Sequence, residues 1–113
     1  MGKHEHQPLE LLPGTLDLLI LKIVARGAMH GYGIALMLKT ASEDVLEVGE
    51  SSLYPALQRL LLNGWVTAEW GASENNRRAR FYTITAAGRK RLAVERADFE
   101  RMVGAIQRVL QTT

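Results

Sequence analysis

Cysteine is absent from the 113 residues, which removes disulfides, thiolate zinc sites and cysteine nucleophiles from consideration. Long apolar runs are absent as well. The longest, Leu18 to Ala25, is interrupted by Lys22 and falls far short of the ~20 residues a membrane helix needs. No charged leader with an unbroken apolar stretch and a cleavage site precedes it, so secretion is not expected and the cytoplasm is the expected compartment. The GxSxG, Walker, dinucleotide-binding and HExxH patterns are all missing, and no histidine stands beside an obvious carboxylate on a rigid element. Neither an enzyme nor a cofactor is expected. His4 and His6 flank Glu5, but no further ligands lie at metal-binding spacing, so a solvated tail and no metal are expected.

What is present describes one folded domain. Apolar residues make up 47% and charged residues 23% of the chain, which argues against disorder, and the length suits one core rather than two. The net charge is only +2; its distribution says more. Residues 1–50 carry four basic and seven acidic side chains (4 − 7 = −3), and residues 51–113 carry ten and five (10 − 5 = +5). Within the second half, Arg77, Arg78, Arg80, Arg89, Lys90 and Arg91 follow one another with no acid between them. Such a run suits a polyanionic partner, although a solvated charged face has the same appearance.

Residues 1–10 are polar and aperiodic and are expected to form a flexible tail. A leucine-rich helix is predicted from Thr15 to Arg26, capped by Thr15, with Asp17 in its first turn and Gly27 as its stop. Its apolar residues wrap most of the circumference, so it must be covered on more than one side. One cover is expected to be a second subunit, meeting Leu16 and Ile20. A second helix is predicted from about His30 to Thr40, with His30 at its start, followed by a loop from Ser42 to Gly49 that holds a short strand at Val45–Val48.

The stretch ESSLYPALQRLLLNG, Glu50 to Gly64, is the most telling. Ser51 and Ser52 can cap a helix, Pro55 is expected in its first turn, and Leu53, Leu57, Leu60 and Leu61 form an apolar stripe that ends at Asn63-Gly64. The other face carries Ser51, Pro55, Gln58 and Arg59, with Tyr54 on the flank. A leucine-backed helix with a small, hydrogen-bonding, cationic front suits the DNA major groove, where Gln can pair with adenine and Arg with guanine. An ordinary amphipathic surface helix would show the same stripe, and Arg59 could equally form a salt bridge within the fold.

Trp65–Trp70 and Arg80–Thr85 are predicted strands around a turn at Gly71–Asn76, which makes an antiparallel hairpin. Trp65 and Trp70 are expected in the core or at a hinge. From Ala86 to Leu110 the chain is predicted helical, with Thr85 as cap. Leu92, Phe99 and Ile106 recur every seven residues and are joined by Met102, Val103, Val109 and Leu110 in a seam that pairing with a twin would bury. The expected fold is therefore mainly α with a small β-hairpin: a winged helix-turn-helix over residues 11–85 and a dimerisation helix over 86–113. The basic hairpin, with Asn75, Asn76, Arg77, Arg78 and Arg80, can lie along a DNA backbone or reach the minor groove. The same shape could instead serve protein contacts, with the wing merely solvated.

The strings LPGTLDLLILKIVARGAMHGYGIALML, SSLYPALQRLLLNGWV and RRARFYTITAAGRKRL together resemble the PadR-like transcriptional regulators, in the smaller subfamily with a single C-terminal helix. The resemblance covers roughly residues 11–95. It implies a homodimeric winged-helix repressor binding a near-palindromic operator in double-stranded DNA. It also implies that Tyr32, Ser52 and Tyr54 approach DNA and that Arg77, Arg78 and Arg80 grip phosphate or the minor groove. This chain departs from the family at Gly33, where many relatives carry a larger residue, and in its wing, where relatives often have a Gly-Arg-Pro-Arg stretch. Some multidrug-sensing relatives place a tryptophan on the last helix; here Phe99 is that helix's only aromatic. The resemblance therefore does not extend to drug binding, and a small-molecule effector, where one acts, is of unidentified chemistry.

Overall fold

A computed structural model of the chain describes Leu9, Leu11 and residues 14–113. The tail expected over residues 1–10, with its His4–His6 pair, lies outside the described residues except for Leu9. That residue's backbone N–H donates to the Val45 carbonyl at 2.7 Å, and Leu9 bridges Leu46 in parallel. The strand expected at Val45–Val48 is no more than this bridge.

Helix α1 spans Thr15–Val24. Gly14, in the left-handed region at φ 89°, occupies the cap position, so Thr15 opens the helix instead of capping it; glycine takes that φ at least cost. The many-sided apolar surface of α1 is covered by the chain itself. It packs against helix α2 (Gly31–Ala41), helix α3 (Glu50–Leu62), strand β3 (Arg78–Ile84) and helix α4 (Ala86–Leu110). Leu16 is 8% exposed and Ile20 is completely buried. This corrects their expected place at a subunit interface: surface spent on the chain's own core is not available to a partner. Around them stand Leu21, Val24, Ile34, Leu57, Leu60 and Val66.

Strand β1, only Met29–His30, adds a third member to the hairpin formed by β2 (Val66–Ala72) and β3, in the order β1-β3-β2, all antiparallel. The sequence predicts no strand at β1, because two residues have no periodicity to detect. His30 is also the cap of α2, its Nδ1 accepting from the Gly33 N–H at 2.9 Å. The hairpin reverses through Ser73–Arg77. There the Asn76 N–H donates to the Ser73 carbonyl, the Ser73 N–H donates to the Arg77 carbonyl, and Asn76 adopts φ 58°. This is a type I turn closed by a left-handed residue, a position asparagine tolerates better than most.

At the root of the hairpin Thr85 ties three elements together. Its N–H donates to the Trp65 carbonyl, its hydroxyl donates to the Gly64 carbonyl at 2.7 Å, and the same hydroxyl oxygen accepts from Gly88 at 3.0 Å as the cap of α4. Gly88 is buried, and a Cβ there would collide with the Trp65 carbonyl oxygen. Helix α4 is thereby seated against the wing's base by its first turns, while residues 96–110 are exposed apart from Val103 and Gly104.

Candidate nucleic-acid interface

Helix α3 shows the predicted amphipathic division with two corrections at its start. Gly49, not a serine, holds the cap position, and no side chain caps the helix; Ser51 and Ser52 lie inside the first turn, exposed. Pro55 falls in the second turn rather than the first. It therefore lacks the N–H that would bond the Ser51 carbonyl, a loss tolerated near a helix start but costly deeper in. Behind, Leu53, Ala56, Leu57 and Leu60 are buried while Leu61 is only half-buried. In front, Ser51, Ser52, Tyr54, Pro55, Gln58 and Arg59 are exposed.

The front of α3 meets the wing and the start of α2 in a groove of about 620 Å³, lined by Tyr32, Tyr54, Gln58, Trp70, Asn75, Arg77, Arg78 and Arg80 among others. Seven of the residues singled out from sequence for DNA contact thus share one concave surface, although they come from three elements. Tyr54 has a double role that the sequence leaves open. Its ring lies over Gly31, so that a Cβ there would sit 2.9 Å from the phenol oxygen, yet the side chain remains 47% exposed. Tyr32 is freer still, at 72% exposed. Ser51, Ser52, Pro55 and Arg59 line a separate cleft with Glu47 and Leu16, and Asn76 occupies the wing turn.

Arg59 is occupied within the fold. Its Nη2 donates to Asp17 Oδ1 at 2.8 Å and its Nε to Oδ2 at 3.4 Å, a two-pronged pair that ties α3 to α1. The hydrogen bond to Asp17 raises the guanidinium above its ordinary range; burial opposes this slightly, and the Asp17 charge adds to it. The basic run is also divided. Arg89 donates to the Ala25 carbonyl, and Arg91 pairs with Glu95 and lies 4.7 Å from the Trp65 ring centroid. Only Arg77, Arg78 and Arg80 of that run belong to the groove. The wing's one acid in the turn, Glu74, accepts from His30 Nε2 at 3.3 Å. No sequence signal marks this contact, because 44 residues separate the two. Among the described residues no three His, Asp or Glu side chains gather as a metal site, and no helix is long and apolar enough to cross a membrane.

A profile of the transcriptional regulator PadR-like family matches residues 20–94, well over half of the chain. The chain belongs to this family. A transcriptional regulator from Clostridium thermocellum superposes with a TM-score of 0.77 at 27% identity, covering 84% of this chain and 92% of that one. A PadR-like transcriptional regulator of Bacillus cereus superposes at 0.75 and 24% identity, covering 88% and 95%, a likeness of fold. An uncharacterized protein X of Lysinibacillus sphaericus is 25% identical over 84 residues, 74% of this chain and 77% of that protein. Membership makes the chain a transcriptional regulator of winged-helix fold, not an enzyme.

The last helix of this PadR-like regulator carries an exposed apolar seam. Phe99, Met102, Ile106, Val109 and Leu110 are exposed, with Val103 half-buried beside them. Leu92, expected in the same seam, instead packs against the chain's own core. The seam proper therefore begins a full two turns later than the heptad pattern suggests.

Proposed function

We propose that this PadR-like regulator is a repressor that binds a near-palindromic operator in duplex DNA as a homodimer. Helix α3 enters the major groove and the wing lies along the adjacent backbone or minor groove. The supporting observation is the groove itself, which sets Tyr54 and Gln58 of α3 beside Tyr32 of α2 and the cationic wing residues Arg77, Arg78 and Arg80. No carboxylate forms an ion pair with those three arginines among the described residues. Their charge is left for phosphate, while Gln58 offers the bidentate amide that reads adenine. Ser51, Ser52 and Pro55, at the exposed start of α3, fit backbone approach, whereas Arg59 contributes only what its bond to Asp17 leaves free.

The exposed seam of α4 supports the dimer reading. At ~1.5 Å per residue its 25 residues reach beyond the core, and among the described residues the seam from Phe99 to Leu110 is left exposed. Two copies joined there would present two α3 helices at half-sites about one helical turn apart. A small-molecule effector would act by favouring one placement of the two helices over another.

Fluorescence anisotropy with duplexes from the region upstream of the regulator's own coding sequence tests the reading. Arg77, Arg78 and Arg80 changed together to glutamate should abolish binding while sedimentation still finds the dimer. Unaltered affinity would favour the second reading, a winged-helix module for protein contacts, for which Leu36 and Leu62, 51% and 78% exposed away from the seam, are the specific observation.

A further inference from the structure

Trp70 sits where no folding requirement puts it. It is 59% exposed near the end of β2, whereas the core or hinge is the place its size predicts. The strand register sets it directly opposite Arg80, with Ala72 and Arg78 as the next pair on the same face and Ala68 and Tyr82 as the previous one. The Arg78 Cζ lies 4.5 Å from the indole centroid, and the Arg80 Cζ lies 5.9 Å from the indole and 5.9 Å from the Tyr82 ring. Tyr82, Arg80, Trp70 and Arg78 therefore form a ladder of alternating ring and cation, rooted in the core because Tyr82 is buried. Ala72, opposite Arg78, is too small to push that guanidinium outward.

All four side chains line the groove that holds Tyr54 and Gln58. An arginine gives up rotamer freedom when it docks on a phosphate. One already stacked on a ring has given up part of it beforehand, and an indole is the best ring for such stacking. The bases of an intact duplex are stacked on one another and offer no free face to an indole.

We propose that Trp70 is a positioning residue for DNA binding, holding Arg78 and Arg80 in the groove beside α3 so that both guanidinium groups meet the sugar-phosphate backbone already oriented. This rests on the DNA-binding reading above. Because phosphate contact is largely independent of sequence, anisotropy with a labelled duplex of random sequence at low salt is sufficient as an assay. Trp70→Leu should weaken binding by about three- to tenfold, and Trp70→Phe should recover most of the loss. In an Arg78→Ala/Arg80→Ala background, Trp70→Leu should change affinity by less than about twofold, since residues that act through one another are not additive. Equal losses in both backgrounds, or no loss in the wild-type background, would overturn the proposal.

A second readout separates this inference from the reading beneath it. In a Trp65→Phe protein, Trp70 is the sole indole, and iodide should quench its fluorescence more strongly than caesium does. Arg78→Ala/Arg80→Ala should remove that asymmetry. Trp65→Phe protein that ignores DNA, as wild type does, while keeping the asymmetry would sink DNA binding, and the positioning role with it, yet retain the ladder. Absence of the asymmetry would refute the ladder itself.

Discussion

Gly88→Ala sets two physical effects against each other with opposite signs. In a helix the exchange should stabilise by about 1 kcal/mol, since alanine surrenders less backbone freedom. Gly88, however, lies in the first turn of α4, where the helix passes close to the Trp65 backbone and Ile84 of β3. A Cβ there would collide with the Trp65 carbonyl oxygen and press to within 2.8 Å of the Ile84 Cγ1. The Ile84 side chain could move; the Trp65 carbonyl cannot, because it accepts the Thr85 N–H at 3.0 Å in the junction between wing and helix. Overpacking against a fixed backbone atom costs ~3 kcal/mol or somewhat more, leaving a net loss of about 2 kcal/mol. For a domain of this size that is a fall in Tm of roughly 8 °C. Thermal and urea unfolding at one fixed protein concentration measure it, the concentration mattering because association adds to apparent stability. Gly104→Ala on the same helix is the control: among the described residues its Cβ would meet only the Arg108 Nη1, at 3.5 Å, so stability should hold or rise by up to ~1 kcal/mol. A Gly88→Ala protein as stable as the wild type would refute the close approach of α4 to the wing's root.

Ile106→Glu, placing a charge in the exposed seam of α4, should convert the proposed dimer to monomer in sedimentation velocity without lowering helix content; a dimer of unchanged affinity would place the interface elsewhere. His30→Ala should cost about 1 kcal/mol by uncapping α2, and His30→Asn should restore the cap while leaving Glu74 unheld, as read by thermal unfolding. Arg59→Gln should cost less than about 1 kcal/mol, because the pair with Asp17 is half-exposed, and the loss should shrink with added salt. Since the Arg59 pKa is raised on folding, its contribution is fully present below the ordinary arginine range and is lost only as pH climbs through the raised value. The cost of Arg59→Gln should therefore be constant from neutral to mildly alkaline pH. On the proposed DNA-binding reading, Gln58→Ala should relax operator preference at one position per half-site; a uniform loss across all sequences would contradict a base-reading role.

Much of the fold could be read because its signals are local. The stripe of α3 and the cap at Thr85 are written in residues three or four apart. The bounds of α4 fall where the sequence sets them, at Ala86 and Leu110. Sequence and structure part where one signal has two physical meanings. An apolar surface all round α1 says that several neighbours are needed, not whether they belong to the same chain; here α2, α3, α4 and β3 are enough to bury Ile20 completely. The heptad count places Leu92 in the seam because spacing cannot tell a side chain that meets the core from an exposed one further along the same helix. A serine pair before a leucine run reads as a cap, yet the cap position falls at least two residues earlier, at Gly49, whose backbone is already extended as that position needs.

The candidate site was legible in composition but not in geometry. Six cations from Arg77 to Arg91 look like one polyanion-binding surface, but the strand-to-helix boundary at Thr85 divides them. A hairpin leaves its arginines on an open face, where Arg78 and Arg80 have rings to stack on. A helix laid against a core turns its cations to carbonyls and acids, as Arg89 does to Ala25 and Arg91 to Glu95. The same division explains Arg59, whose front-face position marks it as a base reader while Asp17, one helix away, holds it. What separates a binding cation from a structural one is therefore the nearest acid or carbonyl in space. For a regulator whose wing and last helix share a single junction at Trp65, Thr85 and Gly88, that distinction also fixes which charges can be changed without loosening the fold.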